Sequence, residues 1–386
     1  MGCGMLAFRA AGIPVEEYHA YEIDKFAIKS ATHNFPDIQE HGDVFKADFT
    51  QYKNIDFLIG GSPCTYWSIA QKNNRETEAS GIGWELFCQY VRALKEAQPK
   101  YFVYENNKSM SEAIRQSINA TFGFEAVLIN SALVSAQSRQ RLYWVGKRNE
   151  DGTYSKVNVE QPDDRGIVLR DIIEDNINLE NVGECETIQK ALPKLVDKFG
   201  YIPEKFNAYN LAEIKEKSPT LSTGSMVTSS CATTVFEKLT IPTDSNATIR
   251  VGTMPQLNGV LKDNQATRIY SINGKSVTQS AQGGGWGAKT GLYAVPVYDI
   301  NNGNAYEVRN GFITIRNKQY PIKLTDGFYI IRKLTVRECM KLQTVPEDYE
   351  FPVSDAQAYK QLGNGWTIEV IKHLLESIMN QSLCCQ

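Results

Sequence analysis

Asp56-Phe57-Leu58-Ile59-Gly60-Gly61-Ser62-Pro63-Cys64 is the stretch on which the fold of this chain turns. A short apolar run followed by glycines, serine and proline reads as a buried strand that stops in a turn. A second run, Tyr101-Phe102-Val103-Tyr104, ends in the same manner, in Glu105-Asn106. Up to about residue 150, β-rich runs alternate with helical text: Tyr18 to Tyr21, Phe57 to Ile59, the helix-like Trp84 to Ala97, Tyr101 to Tyr104, Ala126 to Ile129 and Leu142 to Val145. Strands alternating with helices predict an α/β fold built on a doubly wound, parallel sheet. Such sheets bind ligands beyond the carboxyl ends of their strands, which is where Cys64 and Glu105 both fall. A thiolate beside a carboxylic acid suits covalent attack on an electron-poor ring carbon, with the acid protonating or hydrogen-bonding a ring nitrogen.

The bulk numbers constrain partners less than they constrain architecture. A chain of 386 residues, 42% hydrophobic and 22% charged, is long enough for two domains. Its net charge of −3 advertises no polyanion partner, so any nucleic-acid contact must come from a local basic face. Eight cysteines occur singly except for Cys384-Cys385, without a CxxC pair or HExxH, and the histidines are His19, His33, His41 and His373. Neither a metal site nor a disulfide framework is expected, and reduced cytosol is the expected compartment. No apolar stretch approaches the ~20 residues that span a bilayer, and no signal-peptide pattern opens the chain. A soluble, cytoplasmic, monomeric protein is expected.

Between about 180 and 325 the text turns to Ser, Thr, Gly and Asn with short β-like pieces such as Gly311 to Ile315, which reads as a loop-rich, mainly β insertion. Two segments within it, Lys217 to Ser222 and Lys275 to Ser280, look like copies of one degenerate repeat or a coincidence. Gly283-Gly284-Gly285-Trp286-Gly287 is compatible equally with a DNA-contacting loop and with a linker. Helical text returns after about 328. Thr335 with Glu338 three residues on is a capping-box signature, and Val336 to Leu342 and Trp366 to Ile378 carry helical spacing.

Gly2, Gly4 and Glu22 are the residue types of a nucleotide-type site, since glycine admits close backbone approach and an acid can bind ribose hydroxyls. Alone they read rather as an N-terminal turn and a surface glutamate; Asp43 after Gly42, placed to reach an adenine amino group, favours a cofactor site. Cys64 has glycines and Pro63 before it and no apolar run around it, so it reads as an exposed turn thiol rather than the buried structural cysteine that is more usual. Arg139 and Arg141 alternate into the strand Leu142 to Val145 and so share a face, where they could clamp a phosphate or a carbonyl oxygen.

In order along the chain, these residues resemble the DNA cytosine-5 methyltransferases. Met1-Gly2-Cys3-Gly4 looks like the end of the glycine-rich first motif, Tyr21-Glu22-Ile23-Asp24 like the second and Gly42-Asp43-Val44 like the third. Pro63-Cys64 matches the nucleophile motif, Glu105-Asn106 the E-N motif, and Gln137-Ser138-Arg139-Gln140-Arg141 the Q-x-R-x-R motif. Arg332 to Pro346 matches R-x-L-T-x-R-E-x-x-x-L-Q-x-x-P, and Gln361-Leu362-Gly363-Asn364 the final G-N motif. The chain departs from the family pattern at Thr65, Trp67 and Asn107. Its start lacks the usual first strand with Phe-x-Gly, so a preceding segment is expected.

The resemblance implies a Rossmann-like, S-adenosyl-L-methionine-dependent methyltransferase domain, discontinuous over 1–179 and 326–378, with a smaller target-recognition domain over 180–325 and a tail at 379–386. It implies methyl transfer to carbon 5 of cytosine in double-stranded DNA at a specific sequence, through a covalent Cys64 adduct and base flipping. Cys64, Glu105, Arg139 and Arg141 would be catalytic, with Glu105 at ring nitrogen 3 and Arg139 at the base carbonyl. Gly2, Gly4, Glu22, Ile23, Asp43, Val44, Pro63, Leu86 and Asn364 would hold the cofactor, and Thr65 to Gly83 would form a lid. DNA and a cognate restriction endonuclease are the implied partners. The rival readings are a tRNA cytosine-5 methyltransferase and a catalytically silent DNA-binding homologue.

Overall fold

Continuous burial along Tyr101–Asn107, on both faces of the strand, makes it the spine of the first of two compact units, which comprises Met1–Ser135, Arg139–Arg165 and Gln343–Gln386. The second unit comprises Ala136–Ser138 and Gly166–Leu342. The structure is a computed structural model that describes residues 1–53, 55–63, 66–68, 75–172, 174, 205–207, 212–213, 234–235, 247–253, 268–272, 274–278, 292–296, 306–315, 318–321, 326–332 and 335–383. Cys64, the Lys217 to Ser222 segment, the Gly283 to Gly287 stretch and Cys384-Cys385 lie outside the described residues.

In the first unit α1 (Cys3–Ala10) leads to β1 (His19–Ala20), α2 (Lys25–Asn34) and β2 (Gln39–Glu40). Strands β1 and β2 pair in parallel, with Ala20 opposite Glu40. Then come β3 (Phe57–Gly60), α3 (Gly81–Ala97), β4 (Tyr101–Asn107), α4 (Glu112–Phe122), β5 (Val127–Asn130), β6 (Gln140–Arg148) and β7 (Tyr154–Lys156). The larger sheet has the order β3-β4-β6-β5, with β7 on β6. Strands β3 and β4 run parallel, as the alternation of strand and helix requires, but β6 runs antiparallel to both β4 and β5. The sheet is therefore mixed rather than wholly parallel: only a short 3-10 turn, Ser131–Leu133, and not a crossover helix, lies between β5 and β6.

Aromatic burial holds this sheet to its helices. Trp67, Phe87, Phe102, Tyr104 and Trp144 are all 1% exposed or less and share one cluster with Ile114, Ile118 and Phe122 of α4. Each such side chain contributes about 1.5–3 kcal/mol by leaving water. Helix α2 starts where Asp24 accepts from the backbone N–H groups of Phe26 (2.9 Å) and Ala27 (3.4 Å).

The second unit contains β8 (Lys205–Asn207), β9 (Ala212–Glu213) and β10 (Thr234–Val235), then a seven-stranded sheet. Its strands are β11 (Arg250–Thr253), β12 (Arg268–Ser271), β13 (Leu292–Pro296), β14 (Tyr306–Arg309), β15 (Phe312–Ile315), β16 (Lys318–Pro321) and β17 (Gly327–Arg332). They lie in the order β11-β12-β13-β17-β14-β15-β16. Helix α5 (Val336–Leu342), whose text was read with the resumed first domain, clusters with this unit. Its capping box is formed: Thr335 N–H donates to Glu338 Oε2 at 2.8 Å, and Glu338 N–H to Thr335 Oγ1 at 3.1 Å. The first unit resumes with α6 (Asp355–Asn364) and α7 (Ile368–Leu383), and α7 packs on α1.

Candidate active site

The parallel register of β3 and β4 puts Gly60 opposite Tyr104, so the chain leaving β3 runs beside Glu105. Ser62 is buried there: its hydroxyl lies 2.7 Å from that of Tyr104, and Asn106 Nδ2 donates to its carbonyl oxygen at 3.2 Å. Burial pushes the Tyr104 phenol well above its ordinary value, so it stays a neutral partner. These bonds fix the turn as far as Pro63, which is exposed, and Cys64 is the next residue in sequence. Gly61 has no room for a side chain, because a Cβ there would stand 2.5 Å from the Glu105 carbonyl oxygen. We therefore expect Gly61→Ala to displace the Glu105 backbone and slow catalysis at unchanged cofactor affinity. A variant with wild-type rate would refute that account.

Strand pairing determines what Glu105 meets. Side chains alternate along β4, so Glu105 and Asn107 share one face while Tyr104 and Asn106 share the other. On β6, Tyr143 stands opposite Glu105 and Arg141 opposite Asn107, which makes Arg141 the diagonal neighbour of the acid. Its Nε lies 3.0 Å from Glu105 Oε1, with both side chains 11% exposed. The other oxygen accepts from the Trp366 indole at 3.2 Å. Burial and the Glu105 charge together keep the Tyr143 phenol protonated.

Arg139 precedes the first paired residue of β6 and goes elsewhere. It is 3% exposed, and its Nη2 donates to the carbonyl oxygens of Gly363 (3.1 Å) and Gly365 (2.9 Å). Arg141, not Arg139, is the guanidinium beside the acid, a difference that alternation alone does not reveal. Gln343, missed in the sequence although it stands in the L-Q-x-x-P motif, is fully buried and donates to the Leu362 carbonyl at 2.6 Å. Asn107, where the family pattern is broken, is also buried and accepts from Ser109 Oγ at 2.8 Å.

Of the Thr65 to Gly83 stretch expected to be a lid, residues 65 and 69–74 lie outside the described residues, and Glu76 ties Trp67 to Gly83. Trp67 Nε1 donates to its Oε2 at 3.0 Å, and Gly83 N–H lies 3.2 Å from either carboxylate oxygen. Trp67, another departure from the pattern, is a fully buried core residue.

A second cluster lies at the carboxyl ends of β1 and β2. Because those strands are parallel, Glu22 and Asp43 emerge from the same edge. Glu22 Oε1 accepts from the N–H groups of Ile23 (2.8 Å) and Asp24 (2.9 Å), and Asp43 Oδ1 from that of Phe45 (3.0 Å). The other oxygen of each carboxylate has no partner among the described residues, leaving it available to hydroxyl or amino groups. Ile23 is 77% exposed and Phe45 44%, apolar faces of the kind that sandwich a flat base. Phe45 escaped the sequence reading because an isolated apolar residue carries no periodicity. Gly2 is left-handed (φ 64°) at the N-terminus of α1. Gly4 serves packing: a Cβ would meet Tyr18 Oη at 2.2 Å and Ile59 Cδ1 at 2.4 Å. Val44 and Leu86 are half-buried and Asn364 is exposed at the end of α6. These residue types fit an adenosine-bearing cofactor.

Among the described residues no helix is long and apolar enough to cross a membrane, and no group of three or more His, Cys, Asp or Glu could hold a metal ion. The family model described as C-5 cytosine-specific DNA methylase matches residues 1–380. The orphan methyltransferase M.SPRI of Bacillus phage SPR is 26% identical, with 98% of this chain and 95% of that protein aligned. The type II methyltransferase M.HhaI of Haemophilus parahaemolyticus is 25% identical over 98% of this chain and 91% of its own length. Among solved structures, Entamoeba histolytica EhMeth superposes with a TM-score of 0.57 at 13% identity, covering 98% of this chain and 96% of that one. Spodoptera frugiperda DNMT2 gives 0.54 at 15% identity, covering 98% and 97%. At these identities the structural likeness speaks for the fold, an α/β Rossmann-like one.

Proposed function

The chain belongs to the C-5 cytosine-specific DNA methylase family, and from that premise we propose that it methylates cytosine in duplex DNA at a specific sequence, through a covalent Cys64 adduct on a flipped-out base. It is a DNA (cytosine-5-)-methyltransferase, and its methyl donor is S-adenosyl-L-methionine. The observation that carries the finer reading is the Glu105 carboxyl group, held between Arg141 and Trp366 beside the turn that leads to Cys64.

Carbon 5 of cytosine is a poor nucleophile. Attack by the Cys64 thiolate at carbon 6, with Glu105 giving a proton to ring nitrogen 3 and Arg141 at the carbonyl oxygen, makes carbon 5 enamine-like. When bound, the cofactor would supply an electrophilic methyl group to carbon 5 and leave as the neutral thioether. The carbon 5 proton then passes to a solvent base, the carbon 6–sulfur bond breaks by β-elimination to free the Cys64 thiolate, and ring nitrogen 3 returns its proton to Glu105. The target must leave the base stack, at a cost of a few kcal/mol, and the segment between the Glu76 anchors would close over it. Arg139 positions the Gly363 to Gly365 turn rather than touching the base. Glu22 and Asp43 would hold the ribose and adenine, Ile23, Val44 and Leu86 the apolar walls, and Gly2, Pro63 and Asn364 the remaining contacts. The partners in this reading are a DNA duplex and, in a restriction-modification setting, a cognate restriction endonuclease, with the enzyme acting as a monomer.

We assign sequence choice to 180–325, which lies outside the catalytic motifs and is rich in side chains able to bond bases. Bisulfite sequencing of DNA from cells expressing the chain should show methylation at one motif, with tRNA from the same cells unmodified. Exchanging 180–325 for a relative's segment should move that motif. Modified tRNA with unmodified DNA, or an exchanged protein that keeps its old motif, would overturn the corresponding assignment.

A further inference from the structure

We propose that Trp366 is a positioning residue for Glu105, holding the plane of its carboxyl group for ring nitrogen 3; the inference rests on the role given to Glu105 above. The terminal torsion of a glutamate is broad and roughly two-fold, so a single donor leaves the group free to swing. Here the two oxygens are held separately: Arg141 Nε is ion-paired with Oε1 at 3.0 Å, and Trp366 Nε1 donates to Oε2 at 3.2 Å. The indole N–H is a donor only, so it orients the acid without competing for the proton that Glu105 must pass to the base.

Trp366 is itself fixed from both sides. The carbonyl of Gly365 accepts from Arg139 Nη2 at 2.9 Å and from Gln343 Nε2 at 3.4 Å. On the far side Thr367 is 1% exposed, with its hydroxyl 2.9 Å from that of Ser131 and donating to Gln343 Oε1 at 2.8 Å. Helix α7 begins at the next residue. The Trp366 backbone therefore cannot move away from Glu105 without breaking a buried polar network. A misplaced acid costs rate rather than binding, since orientation matters only where the proton moves.

The test is a double-mutant cycle of Trp366→Phe and Glu105→Gln in the full chain, read as single-turnover methyl transfer to a DNA duplex carrying the mapped motif. Trp366→Phe should slow transfer roughly tenfold, with affinities for S-adenosylmethionine and duplex unchanged. It should cause no further slowing on a Glu105→Gln background. A wild-type rate, or the same proportional slowing on both backgrounds, would overturn the proposal. Glu105→Gln at full rate would instead overturn the role of Glu105, and this inference with it. Should Trp366→Phe fail to fold, indole N–H resonances of wild type and Glu105→Gln decide. One of the five tryptophan signals must move, and five unmoved signals refute the contact.

Discussion

Replacing Cys64 by serine is expected to abolish methyl transfer while leaving duplex and cofactor affinity close to wild type. The thiolate is the nucleophile, and a serine hydroxyl, with its far higher pKa, supplies no comparable anion at neutral pH. The measurement has a built-in control. A duplex carrying 5-fluorocytosine blocks the elimination step, because fluorine cannot leave carbon 5 as a proton does, so the wild-type enzyme should remain attached and Cys64→Ser should not. Cys3 is the rival thiol, since it is coupled electrostatically to Arg139 and Glu105. Burial is the dominant influence on it and raises its pKa, holding it as a neutral thiol. Cys3→Ser should therefore trap normally. Turnover by Cys64→Ser, or trapping lost only in Cys3→Ser, would end the assignment. Failure of the wild type to trap would favour a catalytically silent homologue.

Much of this arrangement was legible in the residues because it is local. Phe57 to Ile59 and Tyr101 to Tyr104 are strands, the Trp84 to Ala97 text lies within α3, and Thr335 and Glu338 form their capping box. What escaped depends on pairing between distant segments. The direction of β6 leaves no mark on its own text, since alternation is the same for parallel and antiparallel neighbours. Arg139 and Arg141 look equivalent for the same reason. They differ in that Arg139 finds carbonyls 224 and 226 positions away, while Arg141 lies diagonally from Glu105 across the ladder. Trp366 reads in the sequence as the first residue of the helical pattern to Ile378, and only the return of the chain beside β4 gives its indole a carboxylate.

The same geometry predicts a large effect for Glu105→Gln, which removes the ionisable group at little change in volume. Glutamine cannot deliver a proton to ring nitrogen 3, so the carbanion forming at carbon 5 loses its neutralising partner. General-acid increments of this kind are worth about 10²–10⁴-fold in rate. The substitution also has a structural cost. Arg141 is ion-paired with one Glu105 oxygen and Trp366 donates to the other, yet an amide has one acceptor oxygen, so its NH₂ group must face either the guanidinium or the indole. A buried donor left unpaired costs about 1–3 kcal/mol, which should appear as a lower melting temperature. The two costs separate cleanly. Stability lost on folding leaves the rate per folded molecule untouched, whereas a missing proton lowers single-turnover transfer at saturating cofactor and DNA without changing either affinity. Glu105→Gln that is less stable but transfers at the wild-type rate would show the carboxyl group to be a structural partner of Arg141, and the catalytic acid would have to be sought elsewhere.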